Sequence, residues 1–157
     1  DDPIGFGTRH HDEMKVLHRI ADLALDPAAS ALPSLKVHLA SKNPWHRYWA
    51  CLAASAIGPS ARPLVPAITN RLDDPHPMVR LRAAECLGVL GEGDPRSALF
   101  DVLNTVATEA EALLTLNTIV YLRDHRSLKI DVANLQPRFS AGQVARRLEY
   151  LRAPETR

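Results

Sequence analysis

The chain has 157 residues, 46% of them hydrophobic and 24% charged, a length that suits one domain and a balance that excludes an intrinsically disordered chain. Lys and Arg number 19 against 18 Asp and Glu, a net charge of +1, so no charge excess points to a nucleic acid or an anionic membrane as partner. Aromatic residues are scarce at 5%, while Ala and Leu abound, a mix that favours helices.

The first residues, Asp1-Asp2-Pro3-Ile4-Gly5-Phe6-Gly7, have neither the basic nor the apolar stretch of a signal peptide. No apolar run approaches the roughly 18 residues of a membrane span. The chain starts without Met and reads as a piece of a longer polypeptide. In Arg9-His10-His11-Asp12-Glu13, neighbouring histidines on a helix point about 100° apart. A metal pair wants H-x-x-x-H spacing, so this reads as a solvated segment. The scattered His18, His38, His46, His76 and His125 read as surface or cap residues. Met14, Leu17, Ile20 and Ala24 then predict a leading helix over about 11–26, stopped before Pro27.

Two stretches follow that align without gaps at an offset of 33 residues, LPSLKVHLASKNPWHRYWACLAASAIG (32–58) and VPAITNRLDDPHPMVRLRAAECLGVLG (65–91). Pro44 meets Pro77, Arg47 meets Arg80 and Gly58 meets Gly91. Pro, Arg and Gly matched at one fixed step signal internal repetition far better than apolar matches do. Each unit reads as two helices. Leu64, Ile68 and Leu72 make the stripe of a first helix. Asp73-Asp74-Pro75-His76-Pro77 breaks it. Val79, Ala83, Leu87 and Leu90 make the stripe of the second. Pro44 and Pro77 suit the first helical position, Asn43 suits the N-cap, and Gly58 and Gly91 suit left-handed C-caps. Arg47 and Arg80 read as an edge ladder bonded to carbonyls or to acidic residues such as Asp74.

A third pair is predicted from Ala98, Val102 and Val106, then Ala112, Leu116, Ile119 and Leu122. Residues 123–139 read as loop. A last helix begins near Ser140, with a capping box between Ser140 and Gln143 and an inner face of Val144, Leu148 and Leu151. Its Arg146, Arg147 and Arg152 read as a solvated face. Cys51 and Cys86 lie in apolar helical patterns and read as small buried thiols.

A helix pair cannot bury its apolar faces alone, so stacked pairs are expected, an all-α solenoid. The run from Leu72 to Gly91 closely resembles the HEAT repeat. That resemblance implies a single HEAT-like domain over 1–157, a right-handed superhelix of stacked antiparallel pairs. The units span about 30–58, 62–91 and 95–122, with a loop over 123–139 and a capping helix over about 140–152.

Asn43-Pro44-Trp45-His46-Arg47-Tyr48-Trp49-Ala50 resembles the N-P-x-x-R-Y-W-A opening of HEAT-like segments at the C-terminus of many bacterial sulfatases. Leu113-Leu114-Thr115-Leu116-Asn117-Thr118-Ile119-Val120-Tyr121-Leu122 resembles the pattern that ends such segments. The resemblance covers roughly 10–125. It implies a parent hydrolase of sulfate esters or N-sulfates in glycans, using calcium and a formylglycine made in a C/S-x-P-x-R motif. It also implies a periplasmic or secreted parent; otherwise a cytoplasmic location is expected. Leu52-Ala53-Ala54 follows Cys51 and Leu87-Gly88-Val89 follows Cys86, so neither is that precursor. No catalytic, cofactor or metal residue is therefore assigned within the chain, and the chain itself is expected to be non-catalytic.

The expected role is to pack on, or extend, a catalytic domain. One alternative is a free-standing scaffold for another protein. A second is a HEAT-like lyase of the bilin lyase type, which wants a polar cluster that the sequence does not offer. Trp45 and Trp49 share a helix face. With Tyr48 and the repeat-equivalent Met78 and Arg82 they form the candidate interface, expected beside the inner stripe. The tryptophans either seal the leading helix near Leu17 or anchor a partner.

Overall fold

The computed structural model describes Gly5, residues 8–133, Leu135 and residues 137–153. The described residues are helical or irregular, with no strand among them. The α-helices that build the fold are, in order, α1 His11–Asp22, α2 Ala28–Leu39, α3 Pro44–Ile57, α4 Val65–Thr69, α5 Pro77–Leu90, α6 Arg96–Thr105, α7 Glu109–Arg126 and α8 Gly142–Arg152. Short 3₁₀ segments at Leu23–Leu25 and Gly58–Leu64 extend α1 and lead into α4.

The helices stack in two rows, giving an all-α solenoid. One row runs α1, α3, α5, α7, α8, each packed on the next; α2, α4 and α6 pack against it. α1 starts at His11 and α3 at Pro44, the same 33-residue step, so the leading helix occupies the place of a second helix. Pro44 and Pro77 stand in the first turns of α3 and α5, where a missing N–H costs nothing. Asn43 Oδ1 accepts from Trp45 N at 2.9 Å, capping α3.

Two apolar clusters meet on opposite sides of α5. Ala83, Cys86, Leu87 and Leu90 join the cluster with α1–α4 residues such as Ile20, Leu35, Ala50 and Ile68. Met78, Leu81 and Ala84 join the cluster with Leu99, Leu103, Leu116, Ile119 and Val144. A helix between two cores must be buried nearly all round. That corrects the expected single stripe: Met78 and Arg82 were placed beside it, yet they are 6% and 8% exposed.

Several local expectations need correction. Gly91 closes α5 in the left-handed helical region, whereas Gly58 combines φ 70° with ψ −140°, a different turn that starts the 3₁₀ segment. The expected loop starts later, because α7 runs on to Arg126 and ends at Ser127, itself left-handed with φ 55°. The Ser140–Gln143 box does not form: Ala141 is the N-cap of α8 and offers no side-chain acceptor. The box sits instead on α7. There Thr108 Oγ1 accepts from Glu111 N at 3.2 Å and Glu111 Oε2 accepts from Thr108 N at 3.1 Å.

Candidate functional site

The sequence around Asn43 builds a rigid platform. Asn43 N donates to Ser41 Oγ at 3.1 Å and its side chain caps α3, so the chain enters the helix at a fixed angle. Arg47, one turn in, reaches back across the turn. Its Nη1 donates to Ser41 O and Lys42 O at 2.9 and 3.0 Å, satisfying carbonyls that no helix can use. Its Nε and Nη2 grip Asp74 at 2.6 and 2.7 Å, a bidentate pair that ties two successive units together.

Asp74 is buried and also accepts from His76 N at 3.0 Å. Burial alone would raise its carboxyl pKa. The hydrogen bonds from Arg47 and His76 N–H, with the charges of Arg47 and Arg71, hold it below the ordinary carboxylate value. Arg80 repeats the motif one unit on: Nη1 donates to Asp74 O at 2.8 Å, and Nη2 reaches Thr105 Oγ1 at 2.9 Å and Asp101 at 3.1 Å. These arginines are staples between units.

On this platform stands an aromatic row. The Tyr48 ring lies 6.0 Å from Trp45 and 6.0 Å from Trp49, both edge-on. Trp45 also faces the His76 ring at 5.7 Å. The Arg82 guanidinium lies over Tyr48 at 5.2 Å and pairs with Glu85. Burial works against the Arg82 charge, but Glu85 and Tyr48 more than offset it and raise its pKa. Arg82 is thus an interior cation, and neither it nor Met78 is on an outer face.

The two tryptophans differ in burial. Trp49 is half-buried and packs on the cluster that contains Leu17 and Ile20, sealing α1 to α3. Trp45 stays 45% exposed. Together with Met14 and Leu17 they line a groove of about 350 Å³ between α1 and α3, as do His10, Glu13 and His18. Nothing in the local pattern pointed to Glu13 here. Its carboxylate reaches α3 through Asn43 Nδ2, at 3.2 Å, a contact 30 residues away in the chain. Met14, placed on the inner stripe by periodicity, is 37% exposed because it lines this groove.

Cys51 and Cys86 are fully buried free thiols. Burial pushes both pKa values up, Cys86 to about 11, so neither is a thiolate at neutral pH. Among the described residues no group of three or more His, Cys, Asp or Glu is placed to hold a metal ion. No described helix is long and apolar enough to cross a membrane.

The family model of the HEAT repeat matches residues 64–93. No curated protein and no solved structure is significantly similar to the chain. The match covers α4, α5 and the Gly58–Leu64 segment's last residue, the same unit whose proline, arginine and glycine recur one step earlier. The chain therefore carries a HEAT-like repeat segment within an all-α solenoid.

Proposed function

We propose that the chain is a non-catalytic HEAT-type interaction module that meets its partner on the α1–α3 surface. The observation that carries this reading is Trp45, a large indole held 45% exposed on the rim of an apolar groove. Its backbone is fixed by the Asn43 cap and by the Arg47–Asp74 pair beneath it. Tryptophan is enriched among the side chains that carry most of the binding energy at protein interfaces.

The partner we propose is a sulfatase-type catalytic domain in the same polypeptide, which the module packs on or extends. Support comes from the Asn43–Ala50 run and the Leu113–Leu122 pattern, both similar to C-terminal segments of bacterial sulfatases. Calcium and formylglycine then belong to that neighbour, and the parent is an exported enzyme. The coding sequence upstream of Asp1 tests this directly. A C/S-x-P-x-R motif a few hundred residues before Asp1 supports the reading. An initiating Met just upstream, without that motif, overturns it in favour of a free-standing scaffold. Assay of the chain alone against aryl sulfates and sulfated glycans, with and without calcium, is expected to give no turnover above a mock preparation. Turnover would overturn the non-catalytic role.

A further inference from the structure

We infer that the α1–α3 groove receives a cationic side chain, an arginine or lysine projected by the partner. This rests on the groove being the docking surface and specifies what enters it. The walls are two indoles, Met14 and Leu17, apolar surface suited to the aliphatic stem of such a side chain. The lining residues carry one formal negative charge, the carboxylate of Glu13, and no Lys or Arg is among them. Indole faces carry the negative lobe of the ring quadrupole and attract a cation, tryptophan most strongly of the aromatic side chains. The groove is therefore largely apolar, with one carboxylate, that of Glu13, among its lining residues.

The molecule shows how such a combination is filled. One repeat step on from Trp49 stands Arg82, whose guanidinium lies 5.2 Å from the Tyr48 ring centre and pairs with Glu85. Aromatic face, arginine and glutamate form one unit there. At the α1–α3 groove the aromatic faces and a glutamate stand together, while the position that holds Arg82 in the next unit holds Trp49. Glu13 accepts from Asn43 Nδ2 at 3.2 Å and lies 3.7 Å from His10 Nδ1, and no Lys or Arg of the lining stands beside the two indoles.

The probe is a pentapeptide, acetyl-Gly-Leu-Arg-Leu-Gly-amide, beside its twin with citrulline for arginine, which has nearly the same shape and no charge. Each is titrated into the chain at neutral pH, with tryptophan fluorescence and amide shifts of α1 and α3 as readouts. The arginine peptide is expected to bind about tenfold more tightly than the citrulline peptide. Glu13→Gln should cut that preference about threefold, because it removes the charge and keeps the side chain's size. Trp45→Leu should abolish it, and this exposed site leaves the fold intact.

Equal binding of the two peptides at the groove would overturn the cation specificity and leave the docking role standing. No binding of the arginine peptide at millimolar concentration would overturn it as well. So would a concentration-dependent dimer that Trp45→Leu dissociates and the peptide does not, since the occupant would then be a second copy. The docking role itself fails separately, if Trp45→Ala leaves association with the upstream catalytic part unchanged.

Discussion

Arg82 and Arg80 stand two residues apart on α5 and do different work. Arg80 holds its own unit's turn through Asp74 O and reaches the next unit at Thr105 and Asp101. Arg82 is enclosed, with Glu85 and Tyr48 as its partners. Read as a repeat position, Arg82 looked like a solvated neighbour of the Ala83 stripe, because polarity is the only cue a lone arginine gives. Its partner Tyr48 is remote in sequence and no spacing rule connects them. Arg82→Ala is expected to cost about 2–3 kcal/mol in chemical denaturation, since it strips Glu85 and Tyr48 of their cation. A loss below about 0.5 kcal/mol would return the side chain to the solvated class.

Asp74 gives a pH test. Its carboxyl is held below the ordinary value when folded. Its contribution is therefore fully present above the unfolded carboxyl pKa of about 3.9 and is lost as pH falls through the lower folded value. Thermal melts of Asp74→Asn should show reduced stability at neutral pH and a flatter decline on acidification below about pH 4 than the parent chain shows. Superimposable acid limbs would show that another group sets the acid sensitivity.

At the scale of elements, the helix starts were legible and the close approaches were not. Pro44, Pro77 and Asn43 act within one turn of themselves, so local pattern finds them. The Thr108–Glu111 box is equally local, a Thr-x-x-Glu run in Thr108-Glu109-Ala110-Glu111 as legible as Ser140-Ala141-Gly142-Gln143. Thr108→Ala should lower stability by about 1 kcal/mol and Ser140→Ala by less than about 0.5 kcal/mol in paired denaturation curves.

Gly88 shows what spacing cannot reveal. A Cβ there would lie 2.7 Å from Leu122 Cδ2, so α5 and α7 touch where glycine leaves room. Leu122 is itself fully buried and has little freedom to yield. Gly88→Val is expected to destabilise by about 1–3 kcal/mol through overpacking, although valine has the higher intrinsic helix propensity. An unchanged midpoint would mean that Leu122 moves aside freely. Ala83→Arg, on the opposite side of α5, should be worse, since it drives an unpaired charge into the first core.

The whole molecule is a row of helices that share burial with their neighbours, and its fold class was readable because the 33-residue step repeats Pro, Arg and Gly together. The α1–α3 groove was legible only in half. Trp45 and Trp49 stood out as a pair on one face, but Glu13, Met14 and the histidines reach the groove from a helix about 30 residues upstream. Periodicity assigned Met14 to the interior, because a helix pattern alone does not show where the neighbouring helix stops covering it. The same geometry separates the tryptophans energetically. Trp49→Ala should cost about 2–4 kcal/mol of the chain's own stability, whereas Trp45→Ala should cost less than about 1 kcal/mol.

The docking role is tested most directly by calorimetric titration of the chain with the sulfatase-type catalytic domain proposed as its neighbour, using the parent chain and Trp45→Ala side by side. The expected result is a loss of at least about 2 kcal/mol in binding free energy for Trp45→Ala, with its unfolding midpoint close to that of the parent. Equal affinities for the two chains would contradict a docking surface at Trp45.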